Sequence, residues 1–336
     1  MNPAHRVLLV EHLDAVGSSV ADMRPRAQLL RELGAEVRSI AISSEDDDDL
    51  QYGSHERKHA GIEQFDEERG GEAVRRAAEG WGADAIVWAS ATPGGGQPAR
   101  SLSPRTPALW WPTGWSPARD AGPLASIASE LDPGDACVTE PERARGPRLS
   151  LWDGPYALVA SPLRAADAEH LFDGFARAAD QRDEVDLVVL EHPDAELEEL
   201  ARSAGIVQRV HFVGRAPREA ESAWLNHARL AFVALHRPLS AGLVMRALTA
   251  GCPLLPVGSA AECVNAWLRG HGVSWAKPGR SRLAWDTVAA AFARTPAVET
   301  AIARGRARAA AGPSEALAAK FAPAFAGLGA RRRRAA

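Results

Sequence analysis

Short apolar runs alternate with segments of helical period along this chain, and the alternation begins twice. In the first half, Arg6–Val10 reads as a strand, and Ala27, Leu29, Leu30 and Leu33 follow at helical spacing until Gly34 stops them. Val37–Ile42 is the next strand. After a polar insertion at 43–60, Gly71–Gly80 reads as a helix and Ala85–Ala89 as a strand, and Ala108–Trp111 and Ala136–Val138 continue the series. Strands that alternate with helices specify a parallel sheet covered by helices on both faces, so the expected class is α/β.

The pattern restarts near residue 155. Tyr156–Ala160 is a strand, and the helix after it carries Ala168, Leu171, Phe172, Phe175 and Ala179 on one face. Asp186–Leu190, Val210–Val213, Ala231–Leu235 and Leu254–Val257 are later strands, with helices near 195–204, 217–227, 241–250 and 260–269. The chain has 336 residues, enough for two domains of roughly 150 residues, each with its own core. The Pro/Arg-rich stretch Pro141–Arg148 marks the boundary. The expected division is 1–148, 149–298 and a helical, Arg-rich tail at 299–336, whose helices return to the first domain.

Composition narrows the function classes. Lys plus Arg number 39 against 43 Asp plus Glu, a formal net charge of -4, which gives no global field to draw nucleic acid. No apolar run approaches the roughly 20 residues that span a bilayer. Three cysteines, Cys137, Cys252 and Cys263, have no CxxC spacing and form neither a disulfide framework nor a zinc ribbon. A cytoplasmic protein is expected. Only Lys58, Lys277 and Lys320 are lysines. So strong an arginine bias matches GC-rich codon usage, and an arginine here is weak evidence of bidentate recognition by itself.

Three motifs invite chemistry. His55-Glu56-Arg57-Lys58-His59 satisfies H-E-x-x-H, in which two histidines one helical turn apart hold zinc and the glutamate activates water. Both central positions are charged, the flanks are Gln51–Ser54 and Gly61, and Glu63, Glu67, Glu68, Glu72 and Glu79 compete for the third ligand. A polar insertion is the default, with a zinc hydrolase as the minor alternative. Glu45–Asp49 is a run of carboxylates that repel one another, a solvated loop rather than a metal site. Ala91–Gln97 places three glycines after a strand, at the edge where α/β sheets bind ligands, without a G-x-G-x-x-G pattern or Walker lysine.

The stretch 208–257 is the most informative. Gln208–Pro217 reads as strand, turn and helix start; Leu230–Leu235 is followed by the loop His236–Ser240, the helical segment Ala241–Gly251 and the strand 254–257. This stretch resembles the C-terminal donor-binding domain of GT-B glycosyltransferases, especially the retaining family 4, whose members read RVxFxGxVP and then xxxVxPSxxEGFGLxxLEAMAxGxPVV. Pro193 falls at that family's G-x-G-P turn and Lys277-Pro278-Gly279 at its P-P-G turn; the first strand, Gly17-Ser18-Ser19 and Leu30–Val37 agree more loosely. The resemblance implies two Rossmann-like domains facing across a cleft and a metal-independent enzyme with no cofactor beyond a nucleotide sugar as donor substrate. It implies an acceptor that is a carbohydrate, lipid-linked or protein group, and donor contacts at Gly17, Arg215, Ala216, Pro217, Ser240, Ala241, Gly242, Leu243 and Arg246. Elementary physics fits that placement: the helix after 239–242 offers free N–H groups and a positive dipole end, and Ser240, Ala241 and Gly242 are small enough for close approach.

The chain departs from the family where chemistry is done. The family's two glutamates eight positions apart are Pro238 and Arg246 here, a degenerate E-x7-E motif. Its Arg/Lys pair falls at Ser161 and Ala166, with Arg164 nearby, and its histidine has no counterpart around Ser90-Ala91-Thr92. These losses leave a departing diphosphate poorly served, and no catalytic residue is assigned. Trp110, Trp111 and Trp115 follow a first-domain strand, where aromatic faces suit a sugar acceptor; core packing is the competing reading. The leading expectation is a glycosyltransferase, the alternative a catalytically inactive GT-B homologue acting as a binding or scaffold partner.

Overall fold

The computed structural model describes residues 5–13, 23–43, 63–91, 106, 108–115, 125–126, 137, 152–160, 163–179, 185–192, 194–214, 218–234, 239–257, 261–274, 285–311, 317, 319, 321 and 323. The strands are β1 (His5–Leu13), β2 (Ala35–Ser43), β3 (Glu63–Asp66), β4 (Ala85–Ser90), β5 (Ala108–Pro112), β6 (Gly114–Trp115), β7 (Ala125–Ser126), β8 (Tyr156–Val159), β9 (Asp186–Val189), β10 (Val210–Phe212), β11 (Leu230–Ala234), β12 (Leu239–Ser240) and β13 (Leu254–Val257). The helices are α1 (Met23–Glu32), α2 (Glu67–Trp81), α3 (Ala165–Ala179), α4 (Ala195–Ser203), α5 (Arg218–His227), α6 (Ala241–Ala250), α7 (Ala261–Gly270), α8 (Trp285–Phe292) and α9 (Pro296–Ala310). Two sheets result, in strand order β3-β2-β1-β4-β5-β7 and β10-β9-β8-β11-β13, each parallel throughout; β12 and β6 form a separate antiparallel pair. The α/β expectation holds in both halves.

The chain divides into two compact units. The first comprises Met1–Glu140, Pro238–Gly242 and Gly312–Ala336, and the second Pro141–Arg237 and Leu243–Ala311. In the first, β1 alternates. Val7 and Leu9 pack with Ala27 and Leu30 of α1, Val87, Ala89 and Trp111, while Leu8 and Val10 pack with Val74, Ala78 and Trp81 of α2, Ile86 and Trp88. A parallel strand covered on both faces reads as one continuous apolar run, which is why Val7-Leu8-Leu9-Val10 shows no polar alternation. Leu317 and Phe321 are fully buried in the α1-side layer, with the Phe321 ring 4.8 Å from that of Trp111.

In the second unit a core lies beneath α3, where Ala168, Leu171, Phe172 and Phe175 meet Leu187, Val189, Leu230 and Phe232 of the sheet and Val288 and Phe292 of α8. Burying each such aliphatic or aromatic side chain contributes about 1.5–3 kcal/mol. Asp194 caps α4, its Oδ1 accepting from the Leu197 N–H at 2.7 Å. The arginines of α9 have specific work: Arg306 donates to the Ala250 carbonyl at 3.1 Å and Arg304 to the Gly272 carbonyl at 3.4 Å. These cations lie beside the carboxyl ends of α6 and α7, where helix dipoles favour positive charge.

The sequence expectations differ from the structure at several places. β1 continues three residues beyond Val10 because Glu11 and His12 keep pairing with β2 despite their polarity. β3, β7, β12, β6 and α8 carried too little local signal to be anticipated. Cys137 is not in a strand; the partner of β5 is Ala125–Ser126, and Ala136 and Val138 lie outside the described residues. No helix among the described residues is long and apolar enough to cross a membrane.

Packing also sorts the thiols. Cys252, between α6 and β13, is buried, and burial pushes its thiol up to about 12; Cys137 is buried too, whereas Cys263 on α7 is exposed. In native protein at pH 8, Ellman's reagent should therefore react rapidly with Cys263 alone and reach the other two thiols only on unfolding. Rapid reaction of all three would contradict this packing.

Candidate functional site

All strands of the first sheet end on the same edge, and polar side chains gather there. Glu11, on the α1 side of β1, receives the Arg26 guanidinium at 2.5 Å, with both side chains 1% exposed. The Arg26 Cζ lies 5.9 Å from the centroid of the Trp111 ring. On the opposite face of β1, His12 meets Trp88 edge-on at 6.3 Å between ring centroids. Ser90 ends β4 one register position beyond the pair Glu11↔Ala89. The Trp110 indole N–H donates to both the carbonyl and Oγ of Ser90, each at 3.1 Å.

The backbone then ties a distant segment to this edge. The Thr113 N–H donates to the Ser90 carbonyl at 3.0 Å, and the Thr113 carbonyl accepts from the Ala241 N–H at 2.8 Å. Leu239 pairs with Trp115 and Ser240 with Gly114, so β12 and the start of α6 belong to the first unit. Ser240 is buried and its Oγ accepts from the Gly242 N–H at 3.1 Å. Of the donor contacts expected from sequence, the structure brings Ser240, Ala241 and Gly242 together at the amino end of α6. It also shows two of those amides already engaged, so an anion here would be held by the helix dipole and by amides further along the first turn.

Leu243 and Arg246 lie on α6 within the second unit, and Leu243 is fully buried. Arg246 is buried as well, with Nη2 3.2 Å from Oε2 of Glu221 on α5. Its charge is thus matched by a carboxylate from the neighbouring helix. Gly214, the glycine of the strand–turn motif, has φ +79°, and a Cβ there would sit 3.2 Å from Cε1 of His192. Only glycine combines that backbone with such close approach. Trp111, an acceptor candidate by sequence, is a core residue packed on Phe321, and Trp110 is half-buried. Gly17, Arg215, Ala216, Pro217, Arg237, Pro238 and the pentapeptide His55–His59 lie outside the described residues, as does the Trp115 side chain. Among the described residues, no group of three or more His, Cys, Asp or Glu side chains could hold a metal ion.

Sequence reasoning missed Glu11, Arg26, Thr113 and Glu221. A signal did exist for the first two: Glu11-His12 directly follows an all-apolar strand, where a charged residue on the buried face demands a partner. Thr113 and Glu221 had none, since their significance arises only from segments far apart in the chain.

No protein-family model matches the chain, and no curated protein sequence does. Solved structures do resemble it. A Staphylococcus aureus MnaA–UDP co-structure matches with TM-score 0.59 at 11% identity, over 90% of this chain and 91% of that one. UDP-GlcNAc 2-epimerase from Neisseria meningitidis bound to UDP-GlcNAc matches at 0.56 and 10%, over 94% and 99%. WaaG, a glycosyltransferase involved in lipopolysaccharide biosynthesis, matches at 0.55 and 16%, over 94% and 98%. The chain has the GT-B fold of two Rossmann-like domains that these glycosyltransferases and epimerases share.

The buried Glu11–Arg26 pair is testable without any ligand. Arg26→Met alone should destabilise the protein by about 3–5 kcal/mol, because it strands a buried carboxylate. Adding Glu11→Leu should recover most of that loss in chemical denaturation. A double variant no more stable than the single one would show that the charge pairing is not what holds these residues.

Proposed function

We propose that this chain binds a nucleotide sugar and, as a metal-independent GT-B glycosyltransferase with a family 4-like donor site, transfers the sugar to an acceptor hydroxyl. The observation that carries the reading is the extent of the fold similarity. Between 90% and 94% of the chain matches one structure holding UDP, one holding UDP-GlcNAc, and a glycosyltransferase. In transfer, the acceptor oxygen bonds to the anomeric carbon while the nucleoside diphosphate leaves with the electron pair of the broken C–O bond and takes up the proton that the acceptor hydroxyl gives up. Negative charge grows on the departing diphosphate, and the amino end of α6, with Ser240, Ala241, Gly242 and Leu243, offers a fixed positive dipole to receive it. The Arg215–Pro217 turn is assigned to the base. Arg246 adds no net charge beside Glu221 and serves to fix α5 against α6.

A second reading, epimerisation of the sugar while it remains on its nucleotide, is favoured by the match to the Neisseria meningitidis UDP-GlcNAc 2-epimerase, whose TM-score of 0.56 is level with the 0.55 of the glycosyltransferase. Both readings require the same ligand class and differ in product.

The test incubates the protein with UDP, GDP and ADP and with UDP-GlcNAc, UDP-glucose, GDP-mannose and ADP-glucose, following melting temperature and products. At least one compound should raise the melting temperature, since a ligand at a hundred times its Kd stabilises by about 2.7 kcal/mol. Gly242→Trp, which fills the approach to the helix terminus, should abolish that rise. Stoichiometric release of nucleoside diphosphate with a glycosylated acceptor identifies transfer, and a changed sugar on an intact nucleotide identifies epimerisation. Binding without either product identifies the inactive homologue. A flat response to every compound ends the nucleotide-sugar reading.

A further inference from the structure

The helix terminus assigned above to the diphosphate is closed to solvent in this structure. Ser240, Ala241, Leu243 and Val244 are each 1% exposed or less, and Gly242 is buried with them. A short strap from the first sheet is bonded to this terminus. β5 ends at Pro112, and the Thr113 N–H then donates to the Ser90 carbonyl while the Thr113 carbonyl accepts from the Ala241 N–H. The next two residues, Gly114 and Trp115, pair antiparallel with Ser240 and Leu239. The Ser240 Oγ accepts from the Gly242 N–H. Amides of the kind that a helix terminus offers to an anion are thus committed here to the protein's own oxygens.

The strap is weakly held. Its strands β6 and β12 are two residues each, against roughly 5–6 in an ordinary strand, so few bonds secure it. Thr113 within it is 2% exposed, and its Oγ1 has no hydrogen-bond partner among the described residues. A hydroxyl buried in this way has lost its bond to water without replacement, and opening the strap restores that bond. Segments with few bonds and uncompensated polar atoms are among the first parts of a fold to open. A diphosphate also has a differential reason to open this one. A backbone N–H bonds a charged oxygen more strongly than a neutral carbonyl or hydroxyl, and the dipole of α6 adds to that preference. Stronger binding to the open state is what shifts such an equilibrium.

We propose that Thr113–Trp115, paired with Leu239–Ser240, is an autoinhibitory strap on the α6 terminus, and that a nucleoside diphosphate binds by displacing it. The strap occupies the terminal amides of the ligand-free protein. This rests on the nucleotide-sugar reading and adds how access to that site is controlled. The measured affinity is then the intrinsic one, reduced by the fraction of molecules whose strap is open.

A disulfide across the strap locks it shut. Trp115 and Leu239 stand directly opposite each other in the pairing. Cα atoms of such pairs lie about 4.5–5.5 Å apart, which a disulfide spans. The variant Trp115→Cys/Leu239→Cys is made together with Cys263→Ala, because Cys263 is exposed whereas Cys137 and Cys252 are buried. Isothermal titration with UDP, GDP and ADP compares the oxidised and reduced forms of this one protein. For whichever nucleotide binds, oxidation should weaken affinity by at least about tenfold, and reduction should restore it. Hydrogen exchange reads the same step in wild type: saturating nucleotide should speed amide exchange in the peptide that carries Gly114 and Trp115. Affinities within about twofold of each other in the two redox forms overturn the strap and leave the nucleotide-sugar reading intact. So does exchange in that peptide that the bound nucleotide slows or leaves unchanged. Failure of wild type to bind any of the three nucleotides or their sugars overturns both.

Discussion

Parallel strands all finish on one edge, and this geometric fact governs where the protein can place chemistry. Each main sheet is parallel throughout, and each is buried on both faces by helices. The interior of each sheet is therefore committed to apolar packing, and polar side chains collect where strands end. The first sheet follows this rule closely. Val7 to Val10 is buried and apolar, and the next two residues, Glu11 and His12, are buried and polar. Glu11 is matched by Arg26 on one face, and His12 turns to Trp88 on the other. The same edge holds Ser90, Thr113 and, through two short strands, Ser240.

The parts of this arrangement that repeat over many residues were legible in the sequence. The β1 run, the helical spacing of Ala27 and Leu30, and the strand–turn–helix series from Tyr156 to Val257 each follow a hydrophobic period that survives any tertiary context. Features defined by pairing between remote segments were not legible. β6 and β12 are two residues each and lie more than a hundred residues apart, so nothing local in Gly114-Trp115 or Leu239-Ser240 announces them. The run Ala136–Val138 has the right composition for a strand, but the partner of β5 is Ala125–Ser126, whose composition gives no hint of it. Polarity misled too: Glu11 and His12 look like a strand's end and are its buried continuation.

The arginine bias illustrates how composition and structure answer different questions. Codon drift accounts for the abundance of arginine but not for where particular ones sit. Arg26 neutralises a buried glutamate, Arg246 faces Glu221 between two helices, and Arg304 and Arg306 dock on the carboxyl ends of α7 and α6. The replacement of a glutamate by Arg246 in the degenerate motif thus comes with a compensating carboxylate on α5. The charge of Arg246 is therefore matched within the fold.

A crystal structure of the protein with bound UDP-GlcNAc tests this account most directly. It predicts the diphosphate at the amino end of the helix Ala241–Ala250. A nucleotide bound away from that helix terminus would contradict it.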